Sequence, residues 1–158
     1  MLKLSKLLGK SRECIYGVCT AEAFPLENVA DPVFSTKMMG DGIALKLMGD
    51  TLCSPCTGEV ILCPDTRHAV GIRTSGGAEI LIHIGLDTVN LKGRGFQKVF
   101  TDQYVQSGQP LIRLDWSSLD DGLDLTTMLI VTNLHHYKLV NKKYGLVTTQ
   151  DLLFELER

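Results

Sequence analysis

An all-β domain, a compact antiparallel β-sandwich or barrel with short helical turns, is what the turn chemistry of this chain predicts. Fifteen glycines among 158 residues recur at intervals that leave little room for long helices. Together with prolines they punctuate the chain at Gly40-Asp41-Gly42, Gly49-Asp50, Pro64-Asp65, Gly76-Gly77, Gly93-Arg94-Gly95, Ser107-Gly108 and Asp121-Gly122. Short apolar runs separated by such regularly spaced turn signals are the pattern of a sandwich or barrel.

The first element is polar in a different way. Met1, Leu4, Leu7 and Leu8 stand at helical spacing, with Lys3, Lys6 and Lys10 mostly opposite. Residues 1–12 read as a short basic amphipathic segment or a frayed tail, since so short a helix is marginal in water and would hold an anionic membrane surface weakly. A single domain is expected over 13–158. Strands are predicted over 14–20, which is apolar and partly β-branched, over 43–47 between Gly42 and Gly49, and over 58–62 after the Pro55 turn. The runs 68–73 and 78–84, joined by Thr74-Ser75-Gly76-Gly77, read as a β-hairpin. Further strands are predicted over 111–114, 128–132 and 152–156, and helical turns near 31–34, near 99–104 or in the tail. A weak echo links 54–60 with 105–111, both strand, tight turn, strand, which turn chemistry alone can produce.

Composition excludes several classes. Sixteen basic and eighteen acidic residues leave a net charge of −2 with no block of like charge, so nucleic acid is not an expected partner. No apolar stretch approaches the roughly 18 residues of a membrane-spanning helix. Arg12 and Glu13 interrupt the leucine-rich start before a signal sequence forms, which points to the cytoplasm. The five cysteines (Cys14, Cys19, Cys53, Cys56, Cys63) are an odd number, so reduced thiols are expected. Cys53-Ser54-Pro55-Cys56 has the spacing of a redox or zinc half-motif, but no second cysteine pair follows at zinc-ribbon distance.

The chemistry concentrates in His68 and His83, one on each arm of the predicted hairpin. A two-residue loop at Ser75-Gly76 sets position 68 opposite 83, with Cβ atoms about 4.5 to 5.5 Å apart. A loop at Gly76-Gly77 makes them diagonal neighbours at about 7 to 8 Å. Only an odd-numbered loop puts them on opposite faces. With the first register His68, Val70 and Ile72 share a face with Glu79, Leu81 and His83. Two imidazoles facing each other can both approach one phosphorus or one metal ion.

The stretch Gly77-Ala78-Glu79-Ile80-Leu81-Ile82-His83-Ile84-Gly85-Leu86-Asp87-Thr88-Val89 resembles the active-site signature of glucose-family enzyme IIA of the bacterial phosphoenolpyruvate-dependent sugar phosphotransferase system. The similarity runs on through Asn90 to Phe96, back through Thr66 to Ile72, and includes Asp31-Pro32-Val33-Phe34 and Lys37 to Ala44. It covers roughly Pro25 to the C-terminus. The resemblance implies an antiparallel β-sandwich that takes a phosphoryl group from the phosphocarrier protein HPr and passes it to a cysteine of a IIB domain, acting as a monomer without cofactor. No IIB or membrane IIC segment is present, so a free-standing relay or separately encoded module is expected.

By residue-level match His83 is the phosphorylated residue and His68 its partner, while Thr66 and the Gly85 carbonyl hold the two rings in one tautomer. Asp31 and Asp87 match acids near the active centre. Val33, Phe34, Met38, Met39 and Val89 match an apolar docking rim, to which Leu81 contributes from the histidine face. The chain departs from the family at Arg67, which sets a cation beside His68, at Cys53, Cys56 and Cys63, and at Pro64, where a bulkier contact is usual.

Bottom-up chemistry agrees with these roles. A histidine pKa near 6.5 leaves much of the ring neutral, with one nitrogen free to attack phosphorus. Phosphoryl transfer asks the protein mainly for positioning and charge stabilisation. Two other functions fit parts of the pattern. His68, His83 and Asp87, the last two in an H-x-x-x-D spacing, would form the ligand set of a zinc hydrolase, and the two histidines alone would capture zinc incidentally. A binding module regulated by its own phosphorylation is the other.

Overall fold

The computed structural model of the protein describes residues 11–158. The amphipathic segment expected within 1–12 lies almost wholly outside the described residues, and Arg12 already belongs to a strand.

Every strand pairing is antiparallel. In chain order the strands are β1 Arg12–Tyr16, β2 Ala21–Pro25, β3 Asp41–Leu47, β4 Thr51–Cys53, β5 Gly58–Leu62, β6 Ala69–Thr74, β7 Glu79–Ile84, β8 Phe96–Lys98, β9 Tyr104–Val105, β10 Pro110–Leu114, β11 Thr127–Val131, β12 Lys138–Val140, β13 Gly145–Val147 and β14 Leu152–Glu157. Eight of them form one sheet in the order β13-β2-β3-β11-β7-β6-β5-β9. Two three-stranded sheets, β1-β14-β12 and β4-β10-β8, complete the sandwich.

The central strand β11, Thr-Met-Leu-Ile-Val, is buried along its whole length because both faces of the large sheet are covered there. Alternate residues serve two cores, as the two-residue period of a strand requires. Leu129 and Val131 join Ile43, Leu45, Val70, Ile72, Ile80, Ile82 and Ile84 in the main core between sheets. Met128 and Ile130 face the other way, with Ala44, Ala69 and Leu81, into a smaller cluster closed by Leu26, Val29 and Phe34.

That cover is residues 24–36, including the single-turn helix α1, Pro32–Ser35. Asp31 caps it, its side chain accepting from the Val33 amide at 2.9 Å, and Pro32 stands at the first turn where its missing N–H costs nothing. Lys37 ties the segment to β3 through Glu27 at 3.0 Å and Asp41 at 3.6 Å. Lys142 reaches the same Asp41 carboxylate at 2.8 Å. Burial pushes the Asp41 pKa up, but the two lysines outweigh it and hold the carboxyl below its ordinary range.

Three expectations need correction. The run 14–20 is strand only to Tyr16, after which Gly17 lies against β-sandwich backbone so closely that a Cβ would sit 2.1 Å from the Thr148 carbonyl oxygen. Residues 99–104 form no helical turn. They run irregularly, bend at Asp102-Gln103 and enter a strand at Tyr104, the Val99 amide donating to the Leu111 carbonyl and the Val60 amide to the Gln103 carbonyl. The third is the hairpin register. The turn has three residues, Ser75 to Gly77, with Gly77 at φ +95° and the Thr74 amide donating to the Ala78 carbonyl. His83 therefore faces Ala69, not His68, and Val70 and Ile72 point into the main core away from Leu81 and His83. The echoing segments lie side by side, the Ser54 amide donating to Gln109 and the Gly108 amide to Ser54.

Candidate active site around two histidines

An odd-numbered turn should send positions 68 and 83 to opposite faces, yet their rings meet, with centroids 5.2 Å apart and planes at 83°. The reason is a bend immediately before β6. Arg67 takes a left-handed backbone (φ +54°) and His68 lies outside the strand, while its carbonyl still accepts from the Ile84 amide at 2.7 Å. The bend carries the His68 ring round to the face of His83.

Each ring is fixed through Nδ1. His83 Nδ1 donates to the Gly85 carbonyl at 3.0 Å, leaving Nε2 as the nitrogen with a free lone pair in the neutral ring. His68 Nδ1 shares a 2.6 Å hydrogen bond with the Thr66 hydroxyl. Gly85 has φ +76°, and a Cβ there would lie 2.4 Å from Thr88 Cγ2 and 2.9 Å from the Asp124 carbonyl oxygen. Only glycine lets the carbonyl turn toward His83 in that space. Thr88 is fully buried and its hydroxyl donates back to the Ile84 carbonyl, which steadies the same turn. Thr88 was not singled out by sequence reasoning; its one signal is a polar residue inside an otherwise apolar signature.

Burial lowers the pKa of both rings from 6.5. For His83 the charge of His68 adds to that effect, while the Gly85 hydrogen bond and Asp31 oppose it. Both shifts favour the neutral imidazole, the state a nitrogen nucleophile needs.

The expected docking residues divide in two. Val33, Met38, Met39 and Val89 are exposed, as is Asp87, on the two segments that border the histidines. Phe34 and Leu81 are instead buried in the second cluster. Phe34 packs its ring 4.9 Å from that of His83, so its place is against the histidine and not on an outer rim. Asp31 is half-buried, engaged in capping α1.

Arg67 does not turn toward the histidines. Its Nη1 donates to the Phe96 carbonyl at 2.9 Å, and its amide closes a turn on the Pro64 carbonyl. All five cysteines are free thiols. Cys56, deeply buried and near Glu13, has its pKa pushed up to about 12, which makes it a poor nucleophile. Among the described residues no three histidine, cysteine or acidic side chains converge as a metal ligand set, so His68, His83 and Asp87 do not form the hydrolase centre considered above.

Residues 13–137 match the model of the phosphoenolpyruvate-dependent sugar phosphotransferase system, EIIA 1 family. The glucose-specific EIIA component of the phosphotransferase system from Halalkalibacterium halodurans is 40% identical over 133 residues, covering 83% of this chain and 77% of that protein. The glucoside-specific EIICBA component from Staphylococcus carnosus is 39% identical over 134 residues, 84% of this chain but only 19% of that longer protein. Among solved structures, glucose permease IIA from Mycoplasma capricolum superposes with a TM-score of 0.87 at 33% identity, covering 92% of this chain and 96% of the other. None of these relatives supports a hydrolase or a purely regulatory module.

Proposed function

Because the chain belongs to the EIIA 1 family of the phosphoenolpyruvate-dependent sugar phosphotransferase system, we propose that it carries a phosphoryl group on His83 Nε2, from phosphorylated HPr to a cysteine of a IIB domain. The observation that carries this reading is the His83 ring, fixed at Nδ1 by the Gly85 carbonyl and set edge-on to a second imidazole.

In the first step Nε2 attacks phosphorus in line with the donor nitrogen. The P–N bond at His83 forms as the donor's P–N bond breaks, and that electron pair returns to the donor imidazole. In the second step the IIB thiolate forms a P–S bond and the electron pair of the breaking bond returns to Nε2. His68, with the Thr66 hydroxyl at Nδ1, presents an N–H to the equatorial oxygens, where charge gathers in a loose transition state. The hydrogen bond from Nδ1 to the Gly85 carbonyl persists through both steps and keeps reaction at one nitrogen.

The exposed Val33, Met38, Met39 and Val89 form the docking rim, with flexible methionines suited to more than one partner, and Asp87 offers a charge to cations on that partner. The domain spans 13–158, works as a monomer in the cytoplasm and needs no cofactor. No helix among the described residues is long and apolar enough to cross a membrane. The choice of sugar rests with a separate IIC membrane domain.

The test is incubation with phosphoenolpyruvate, enzyme I and HPr, then intact mass measurement at mildly basic pH. One added group of about 80 Da, absent from His83→Ala, is the expected result for a histidine nucleophile. No adduct while HPr itself is phosphorylated overturns the proposal.

A further inference from the structure

Beside the bend that delivers His68 lies a second concave feature, an open cavity of about 540 Å³ lined by Arg67, Gly93, Phe96, Gln97, Arg113 and Asp115 among others. Its two arginines form no ion pair among the described residues. Arg67 spends one N–H on the Phe96 carbonyl. Arg113 is exposed in mid-strand, flanked by Gln97 of β8 and Thr51 of β4. The acid in the lining, Asp115, is turned into its own loop, accepting from the Ser117 amide and from the Ser117 and Ser118 hydroxyls.

The backbone is shaped to keep the guanidinium of Arg67 in place. Its φ of +54° is unusual for a long side chain and persists only where surroundings enforce it. Gly93 (φ +90°) lies directly against it, its Cβ position 3.9 Å from Arg67 Nε and Cζ. Two planar guanidiniums with free donors match a doubly charged, tetrahedral anion better than a single carboxylate. The cavity also exceeds what the anion alone would fill, and its remaining lining mixes the Gln97 amide with the apolar Phe96 and Leu114.

We propose that this groove binds a phosphate group, carried by a small sugar phosphate or present as free phosphate, in a site separate from the histidine pair. Arg67 and Arg113 hold the anion, and Gln97 stands where a hydroxyl of an ester would lie. Arg67 shares its turn with His68, so occupancy stiffens the segment that positions the second imidazole. That last consequence rests on the phosphocarrier reading; the binding does not.

The experiment is amide and arginine NMR during titration with inorganic phosphate, glucose 6-phosphate and glucose, each up to about 10 mM, the range suited to a shallow exposed site. Saturable shifts at Gly93 to Gln97 and at the Arg113 side chain are expected with both phosphates and not with glucose. Tighter binding of the ester assigns the site to sugar phosphates; equal binding assigns it to free phosphate. Arg113→Gln, an exposed substitution, is expected to weaken binding about tenfold or more. Arg67→Asn, which tolerates the left-handed backbone, does the same. His83→Ala is expected to bind as the parent does, which separates this site from the relay. No saturation, or equal affinity in Arg113→Gln, overturns the proposal.

Discussion

Gly85→Ala tests whether the turn after β7 sets the chemistry of His83. The new methyl would sit 2.4 Å from Thr88 Cγ2 and 2.9 Å from the Asp124 carbonyl oxygen. Thr88 is fully buried and hydrogen-bonded to Ile84, so neither neighbour can swing away freely. Holding a non-glycine residue in the left-handed region costs about 1–2 kcal/mol. Overpacking of a buried turn adds about 1–3 kcal/mol, for a total of about 2–5 kcal/mol. Relief of that strain turns the carbonyl away from His83 Nδ1. Because that hydrogen bond opposes the burial effect, losing it lowers the His83 pKa further and frees the ring to exchange its proton between nitrogens. Denaturant unfolding measures the first effect, and nitrogen-15 NMR of the imidazole measures the second. A variant with parental stability, still protonated at Nδ1 alone, would refute the account of this turn.

Three further outcomes follow from the same geometry. His68→Gln should accept a phosphoryl group but pass it on about 100-fold more slowly, as expected when one donor to developing charge is removed; parental onward transfer to a purified IIB domain removes that role. Phe34→Ala should cost about 3 kcal/mol or more, as for a truncated buried aromatic, and should raise the His83 pKa by admitting water, read by an NMR titration. Stability should also depend on pH through both histidines. Their folded pKa values lie below 6.5, so the unfolded chain binds more protons. The stabilisation is fully present above 6.5 and is lost as pH falls through the folded values. Urea midpoints should fall more steeply below pH 6.5 for the parent than for His83→Gln, and equal slopes would contradict the burial argument.

The central strands were legible because β3, β6, β7 and β11 are long apolar runs bounded by turn residues. Short strands such as β8, β9, β12 and β13 were not, since two or three residues at a sheet edge leave no period to read. The histidine pair was legible as a pair but for the wrong local reason. A glycine-rich turn fits two or three residues equally well, and nothing before His68 announces that Arg67 reverses its backbone. Burial of Phe34 and Leu81 was hidden for a related reason. Alternation predicts one covered face, whereas here a segment from elsewhere in the chain covers the second.

That second cover also brings an exposed surface next to His83. Within the four residues of α1 one side chain meets solvent and the next meets the His83 ring, which itself stays partly exposed. Val33 looks outward while its neighbour Phe34 rests on His83. A change in the packing of Phe34 therefore reaches the imidazole directly, while its neighbour Val33 lies open to solvent. Outer surface and histidine pocket are joined at a single helical turn.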